Sequence, residues 1–282
     1  MINSEINLFS ICGFTYMSMV SGEEKYLYIL VRIPKCGSQT LREMVGQGAA
    51  GSSLFRLPQL DIEPDVNRGV VKRLRQQRRM LKGVSAYGTL TEQGMWKKIS
   101  EQAKSGDIVS GHIAFGRAAL PGWKLRYITL MRDPVARVVS EYFYTREGYL
   151  KRPAWRKFYL KGKSETAAKG SFTDYLEYLC EHQNLYANTA TAFVTGSRTH
   201  PDPFAFLQEN YFHYGVLEDL EAFAQQLSEK MNAKVSDEIW VNKTKTKKNY
   251  SLTDRDHELL TILIGRDIEL YEKVVESISQ QN

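Results

Sequence analysis

The most informative stretch of the chain is YLYILVRIPKCGSQTL, residues 26–41. Its first half is a nearly continuous apolar run, which predicts a buried strand over Tyr26 to Ile33. Pro34 ends this run, and the turn residues after it lead into a predicted helix over Ser38 to Gln47. A buried strand, a tight turn and a helix in this order predict an α/β fold.

The turn suits an anion, because the first N–H groups of a helix lack partners and the macrodipole is positive there. Lys35 adds a positive charge, and Gly37 allows the backbone to approach a ligand closely. Ser38 and Thr40 supply hydroxyl groups. The stretch therefore predicts a cradle for a phosphate or sulfuryl group, although an ordinary strand–turn–helix remains an alternative for this segment alone.

An ATP-binding loop would follow the pattern G-x-x-x-x-G-K-[ST]. Here Lys35 precedes Gly37, and no glycine stands five residues upstream of Lys35. The departure disfavours a nucleotide-dependent kinase, which would also need a carboxylate after a strand to hold Mg²⁺. Asp133 follows a predicted strand, but its place before Pro134 suits helix capping better than Mg²⁺ binding.

The composition and charge limit the classes of protein to which the chain can belong. The 282 residues carry a net charge of +6 with a pI near 9.0, which favours an acidic partner: a nucleotide, a sulfated or carboxylated glycan, or nucleic acid. The charge alone does not choose among these partners. The three cysteines are widely spaced, which predicts neither disulfides nor a zinc site and suits a reducing compartment. The uncharged segment over Ile6 to Gly22 is not apolar enough to predict a membrane anchor. We therefore expect a cytoplasmic protein.

Predicted strands alternate with predicted helices along the chain, which favours a central parallel sheet with helices on both faces. Lys35, His112 and Arg132 each follow a predicted strand. Ligands of such sheets bind beyond the carboxyl ends of the strands, so these three residues should share one edge.

Residues 1–25 are predicted as an N-terminal extension or edge strand, and 151–170 as a surface loop. The other predicted elements are strands at 107–110, 125–131 and 213–217, and helices at 91–104, 135–147, 171–181, 188–194, 218–231 and 253–277.

Three segments together resemble the sulfotransferases that use 3′-phosphoadenosine-5′-phosphosulfate (PAPS), in particular the carbohydrate branch with the heparan sulfate 2-O-sulfotransferases and their bacterial relatives. They are IPKCGSQTL (33–41), SGHIAFG (110–116) and LMRDPVARVVSEYFY (130–144). Further support comes from NTATAFVTG (188–196), GVLEDLEAF (215–223) and IGRDIELYEKV (264–274). The resemblance implies a single P-loop-like domain over residues 1–282.

The resemblance also implies how the donor is held. Lys35 would lie near the bridging oxygen of the phosphosulfate and offset the charge that develops there. Arg132 and Ser140 would bind the 3′-phosphate. The residues implied to wrap the 5′-phosphosulfate are Pro34, Lys35, Cys36, Gly37, Ser38, Gln39 and Thr40. No metal is expected.

His112 is the predicted general base, because an imidazole can accept the proton that an alcohol loses during sulfuryl transfer. Among the five histidines, His112 alone follows a predicted strand and matches the family's Gly-His segment. A structural role remains the alternative for any single histidine.

Some positions depart from the resemblance. Cys36 and Gln39 replace small or hydroxyl residues, so only their backbone is expected to contact the donor. Ala190 and Ala192 stand where relatives often carry Gln and Arg, so the acceptor need not be a glycosaminoglycan. Arg137 and Glu141 lie one helical turn apart and are predicted to pair.

The sequence thus predicts a sulfotransferase whose partner is a hydroxyl-bearing acceptor, with a carbohydrate as first choice and no nucleic acid. A non-catalytic polyanion-binding protein is the alternative from another class. It would use the basic residues of the predicted helix Val70 to Lys82. The basic loop Lys243 to Lys248 is a candidate for closing over the nucleotide. The oligomeric state is left open.

Overall fold

A computed structural model describes residues 24–48, 51–58, 81, 84, 86–89, 91–157, 160–235 and 250–280. Most of the predicted N-terminal extension, all of the basic stretch 70–82 except Leu81, and the basic loop 243–248 lie outside these residues.

A five-stranded sheet forms the centre of the described chain, in the order β2-β3-β1-β4-β5. All four strand pairings are parallel, as predicted. Val31, at the end of β1, lies beside Gly111 of β3 and Thr129 of β4. The strands are β1 (Tyr26–Val31), β2 (Leu54–Arg56), β3 (Ile108–Gly111), β4 (Lys124–Met131) and β5 (Tyr211–Val216).

The middle strand β1 is buried on both faces, which explains its nearly continuous apolar sequence. Leu27, Ile29 and Val31 belong to the hydrophobic cluster on one face. Tyr28 and Leu30 belong to the cluster on the other face. Helical residues complete each cluster, so the prediction of helices on both faces is confirmed.

The helices match most of the predicted positions. The described ones are α1 (Ser38–Gly48), α2 (Glu92–Gln102), α3 (Pro134–Leu150), α4 (Ala154–Lys157), α5 (Lys163–Lys169), α6 (Phe172–Glu181), α7 (Gln183–Tyr186), α8 (Thr189–Thr195), α9 (Pro203–Asn210), α10 (Leu220–Met231) and α11 (Asp254–Ser279). A short 3₁₀ turn, Leu217–Asp219, joins β5 to α10. The strand β2 and the helices α7 and α9 were not predicted.

The prediction of a surface loop over 151–170 is wrong in its secondary structure, because α4 and α5 lie within it. Ala167 and Ala168 are buried, and Ala167 packs in a cluster with Tyr142 and Tyr175. Lys163, at the start of α5, pairs with Glu141 of α3. These contacts to distant residues hold the segment against α3, and a local sequence pattern does not reveal them.

The start of α3 is fixed as the sequence predicts. The carboxylate of Asp133 accepts a hydrogen bond from the N–H of Ala136 at 2.6 Å, and Pro134 occupies the first turn. Such a cap satisfies one of the donors that a helix start leaves unpaired. It places α3 directly beyond the carboxyl end of β4.

Candidate active site

The predicted site residues meet at the carboxyl edge of three neighbouring strands. His112 follows β3, the turn with Lys35 follows β1, and Arg132 follows β4. Arg132 Nη1 donates to the carbonyl oxygen of Lys35 at 3.3 Å. The predicted common placement of these residues is therefore confirmed, whereas their chemical roles stay predictions.

The turn between β1 and α1 has an unusual backbone. Lys35 has φ 69° and Gly37 has φ 64°, both in the left-handed region. A side chain at Gly37 would also collide, since its Cβ would lie 2.6 Å from Leu217 Cδ1. The conformation therefore favours glycine at residue 37, and a larger residue there would force the Leu217 side chain to move.

The other side chains of the turn differ in exposure. Cys36 and Thr40 are buried, Gln39 is exposed, and Pro34, Lys35, Gly37 and Ser38 are half-buried. Burial raises the pKa of the Cys36 thiol to about 12, so the sulfur stays protonated and does not act as a nucleophile. The Cys36 N–H donates to the carbonyl oxygen of Ile33 at 3.4 Å, and its contact to an anion stays a prediction.

Arg32, which was not among the predicted site residues, braces this turn from the end of β1. Its Nε donates to the carbonyl oxygen of Ser38 at 2.8 Å, and its Nη2 reaches Ser38 Oγ at 3.4 Å. Burial, helped by the charge of Arg42, lowers the pKa of Arg32 to about 10, which still leaves it charged at neutral pH. The arginine thus adds positive charge beneath the start of α1.

The carbonyl oxygen of Arg32 also contacts the predicted base, at 2.6 Å from His112 Nδ1. A carbonyl oxygen only accepts hydrogen bonds, so Nδ1 must be the protonated nitrogen of the neutral ring. Nε2 then carries the lone pair that a general base needs.

His213, the buried histidine of β5, has a different character. Its Nε2 lies 3.0 Å from the carbonyl oxygen of Phe223, and Lys230 Nζ lies 3.5 Å from its Nδ1. Burial, with the charge of Lys230, lowers the pKa of His213 to about 4. This imidazole is neutral at physiological pH and is held by structural contacts.

The Lys35 ammonium points toward α3, where it lies over the ring of Tyr144 at 4.2 Å from the centroid. Burial lowers the pKa of Lys35, while the negative charge of Glu141 opposes that effect. Tyr144 was not predicted as a site residue. It lies one helical turn beyond Ser140, the half-buried serine predicted to bind the 3′-phosphate.

The predicted pair of Arg137 and Glu141 is present, at 3.2 Å, and it belongs to a larger network in which Arg137 and Asp267 are buried. Lys163 also pairs with Glu141, and Arg137 Nη2 lies 4.0 Å from Asp267 Oδ2. Burial alone would raise the pKa of Glu141, but the charges of Lys163 and Arg137 outweigh it and hold that pKa at about 2. The network fixes α3, the helix that carries Ser140 and Tyr144.

Asp267 extends this network to α8. Its carboxylate accepts hydrogen bonds from the N–H groups of Ala190 at 3.0 Å and Thr191 at 2.8 Å. Ala190 and Ala192 are both buried, so neither side chain is placed to contact an acceptor.

Among the described residues, no group of three or more His, Cys, Asp or Glu side chains is arranged to hold a metal ion. None of the described helices combines the length and apolarity that crossing a bilayer requires. The carboxylate of Asp133 caps the start of α3.

Comparison with known proteins adds an independent finding. The sequence model of the family described as "Sulfotransferase domain" matches residues 28–253. No curated protein matches the chain significantly. Among solved structures, mouse sulfotransferase SULT7A1 complexed with PAP is similar at 14% identity, with 88% of this chain and 78% of that chain covered and a TM-score of 0.33. A structural similarity with this TM-score gives no information about the residues of this site.

Proposed function

Because the chain belongs to the sulfotransferase family, we propose that it transfers the sulfuryl group of PAPS to a hydroxyl group of an acceptor. The observation that carries the proposal is the convergence of Lys35, Arg132 and His112 on the turn that begins α1. Two cations and a base at one helix start match the chemistry of a bisphosphorylated donor and an alcohol.

In this proposal the donor binds along the turn and α3. The N–H groups from Lys35 to Thr40, with the hydroxyl groups of Ser38 and Thr40, hold the 5′-phosphosulfate. Arg132 and Ser140 bind the 3′-phosphate. The positive ends of α1 and α3 face this edge of the sheet and add a favourable field for both anions.

The transfer step needs a base and a cation. The acceptor oxygen attacks sulfur, the bond between sulfur and the bridging oxygen breaks, and adenosine 3′,5′-bisphosphate leaves with the electron pair. His112 Nε2 takes the proton of the attacking hydroxyl group. The Lys35 ammonium offsets the negative charge that grows on the bridging oxygen. Arg32 holds His112 in the tautomer that makes Nε2 the acceptor.

The resemblance to the carbohydrate branch supports a carbohydrate as the acceptor, and the net charge of +6 favours one with acidic groups. Ala190 and Ala192 argue against an acceptor that is bound by Gln and Arg side chains at these two positions. A cytoplasmic location and a single domain over residues 1–282 stay predictions.

Incubation with ³⁵S-labelled PAPS and a panel of glycans, small alcohols and lipids tests the proposal. We expect label in a hydroxyl-bearing product, with the neutral and anionic glycans of the panel showing whether acidic groups matter. The same panel with the Lys35→Gly variant, which keeps the backbone shape of the turn, should show no transfer. Label in no product, together with salt-sensitive binding of polyanions by both proteins, would favour a non-catalytic polyanion-binding protein.

A further inference from the structure

Tyr144 presents a large ring to solvent beside the donor turn. Its side chain is 67% exposed, so the ring contributes little to the hydrophobic core. The Lys35 ammonium lies 4.2 Å from the ring centroid, well within the range of a cation–π contact. An exposed aromatic residue that contacts the predicted catalytic lysine invites a functional explanation.

The base of the lysine side chain is already fixed. The Lys35 backbone adopts φ 69°, and its carbonyl oxygen accepts from Arg132 Nη1 at 3.3 Å. Beyond the backbone, a lysine has four rotatable bonds, and ordering them costs up to about 2 kcal/mol of rotamer entropy. A contact near the ammonium is needed to restrict its position.

The acidic groups near Lys35 are engaged elsewhere. Glu141 pairs with Lys163 and Arg137. Glu147 lies 3.6 Å from Lys151 Nζ. Within the described ranges no carboxylate forms an ion pair with Lys35, and the contact that the structure shows for its ammonium is the face of Tyr144.

We propose that Tyr144 is a positioning residue that holds the Lys35 ammonium at the mouth of the donor site through a cation–π contact. The inference rests on the proposed function, because it assigns Tyr144 a role in sulfuryl transfer. An aromatic face attracts the cation without neutralising it, so the ammonium keeps its full charge for the donor. A carboxylate in the same place would hold lysine more tightly and compete with the phosphosulfate.

Two substitutions and a matched control test the role. Tyr144→Phe keeps an aromatic face, whereas Tyr144→Leu removes it. The control is Trp155→Leu, because Trp155 is 64% exposed and Arg156 Cζ lies 4.8 Å from its ring centroid. This control removes an equally exposed cation–π contact that has no part in the proposed donor site.

We expect Tyr144→Leu to lower kcat about 2- to 5-fold, the size of an exposed cation–π contact, with little change in acceptor KM. Tyr144→Phe and Trp155→Leu should stay near the original kcat. NMR of the Lys35 side chain detects the contact independently of enzyme activity. The Lys35 signals are assigned as those that disappear in the Lys35→Arg variant. A ring above the ammonium shifts the ε-methylene protons upfield, and that shift should vanish in Tyr144→Leu and persist in Tyr144→Phe.

An ε-methylene shift that Tyr144→Leu leaves unchanged would overturn the proposal, since no contact would exist in solution. A lost shift with an unaltered kcat would overturn the positioning role. Failure of the proposed function looks different, because the unsubstituted protein would then show no transfer although the ring-induced shift is present.

Discussion

His112 Nδ1 lies 2.6 Å from the carbonyl oxygen of Arg32, and this contact joins the predicted base to the residue that braces the donor turn. The same arginine donates through Nε to the carbonyl oxygen of Ser38 at 2.8 Å. One residue at the end of β1 therefore orients both the imidazole and the start of α1. Any shift of that strand end would move the base and the donor turn together.

Replacement of His112 by alanine should lower turnover by about 10²–10⁴, the usual cost of losing a general base. Binding of adenosine 3′,5′-bisphosphate should persist, because His112 is not among the residues proposed to hold the donor. Steady-state kinetics and calorimetry measure the two quantities separately. His257→Ala, at an exposed position of α11, serves as the control. A loss of only a few-fold in His112→Ala would place the base elsewhere.

Replacement of Lys35 by glycine isolates the ammonium from the shape of the turn. Glycine adopts the left-handed conformation of Lys35 without strain, so the free energy of unfolding should stay within about 1 kcal/mol of the original. Transfer should fall to background, because no cation then offsets the charge on the bridging oxygen. Urea unfolding and the ³⁵S assay measure the two effects. A stable variant that still turns over normally contradicts the role of Lys35.

Alanine at Gly37 should damage both stability and donor binding. The added Cβ would lie 2.6 Å from Leu217 Cδ1, in a backbone conformation that disfavours L side chains. We expect a loss of about 1–3 kcal/mol in the free energy of unfolding and weaker binding of the bisphosphate.

Gly122→Ala is the matched control for Gly37→Ala. Gly122 has φ 80°, but no atom within 4 Å would meet its Cβ. It carries the conformational cost without the collision and lies outside the donor turn. Equal losses of stability in the two variants, with donor binding unchanged in both, would show that the close packing at Gly37 has no consequence.

His213 should make the stability of the fold depend on pH. Its pKa in the folded protein is about 4, against 6.5 for an unperturbed histidine, so the unfolded chain binds the extra proton between these values. Its contribution is complete above about pH 6.5 and is lost as the pH falls toward 4. The loss reaches at most about 3 kcal/mol.

Urea unfolding at about pH 7.5, 6.0, 5.0 and 4.5, values that span this titration, compares the protein with His213→Gln. The original protein should lose more stability than the variant over this range. Glu141 acts at lower pH, since its pKa of about 2 makes its contribution fade only below about 4.5. Identical pH profiles for the two proteins would refute the assignment to His213.

The sequence predicted those elements of the fold that are determined by neighbouring residues in the chain. The apolar run of β1 and the Asp133–Pro134 helix start appear as expected, because burial on both faces and capping leave direct marks on the sequence. The edge strand Leu54–Arg56 was missed because only pairing with β3 makes its three residues a strand. The helix α5 within 151–170 was missed for a similar reason, since it depends on packing against α3.

In the candidate site, too, the sequence predicted some features and missed others. The order of strands and turns suffices to bring Lys35, His112 and Arg132 to one edge of a parallel sheet. The left-handed conformation of Lys35, the bracing by Arg32 and the contact with Tyr144 are not visible in any short motif. Each depends on where a side chain points once distant segments have packed.

The central claim is that the turn after β1 and the residues after β4 form two anion sites spaced for one bisphosphorylated adenosine. A crystal structure of the protein with adenosine 3′,5′-bisphosphate tests it most directly. We predict the 5′-phosphate on the N–H groups of the turn at the start of α1, and the 3′-phosphate within hydrogen-bond distance of Arg132 and Ser140. A nucleotide bound elsewhere, or no nucleotide in crystals grown at saturating concentration, would contradict the account.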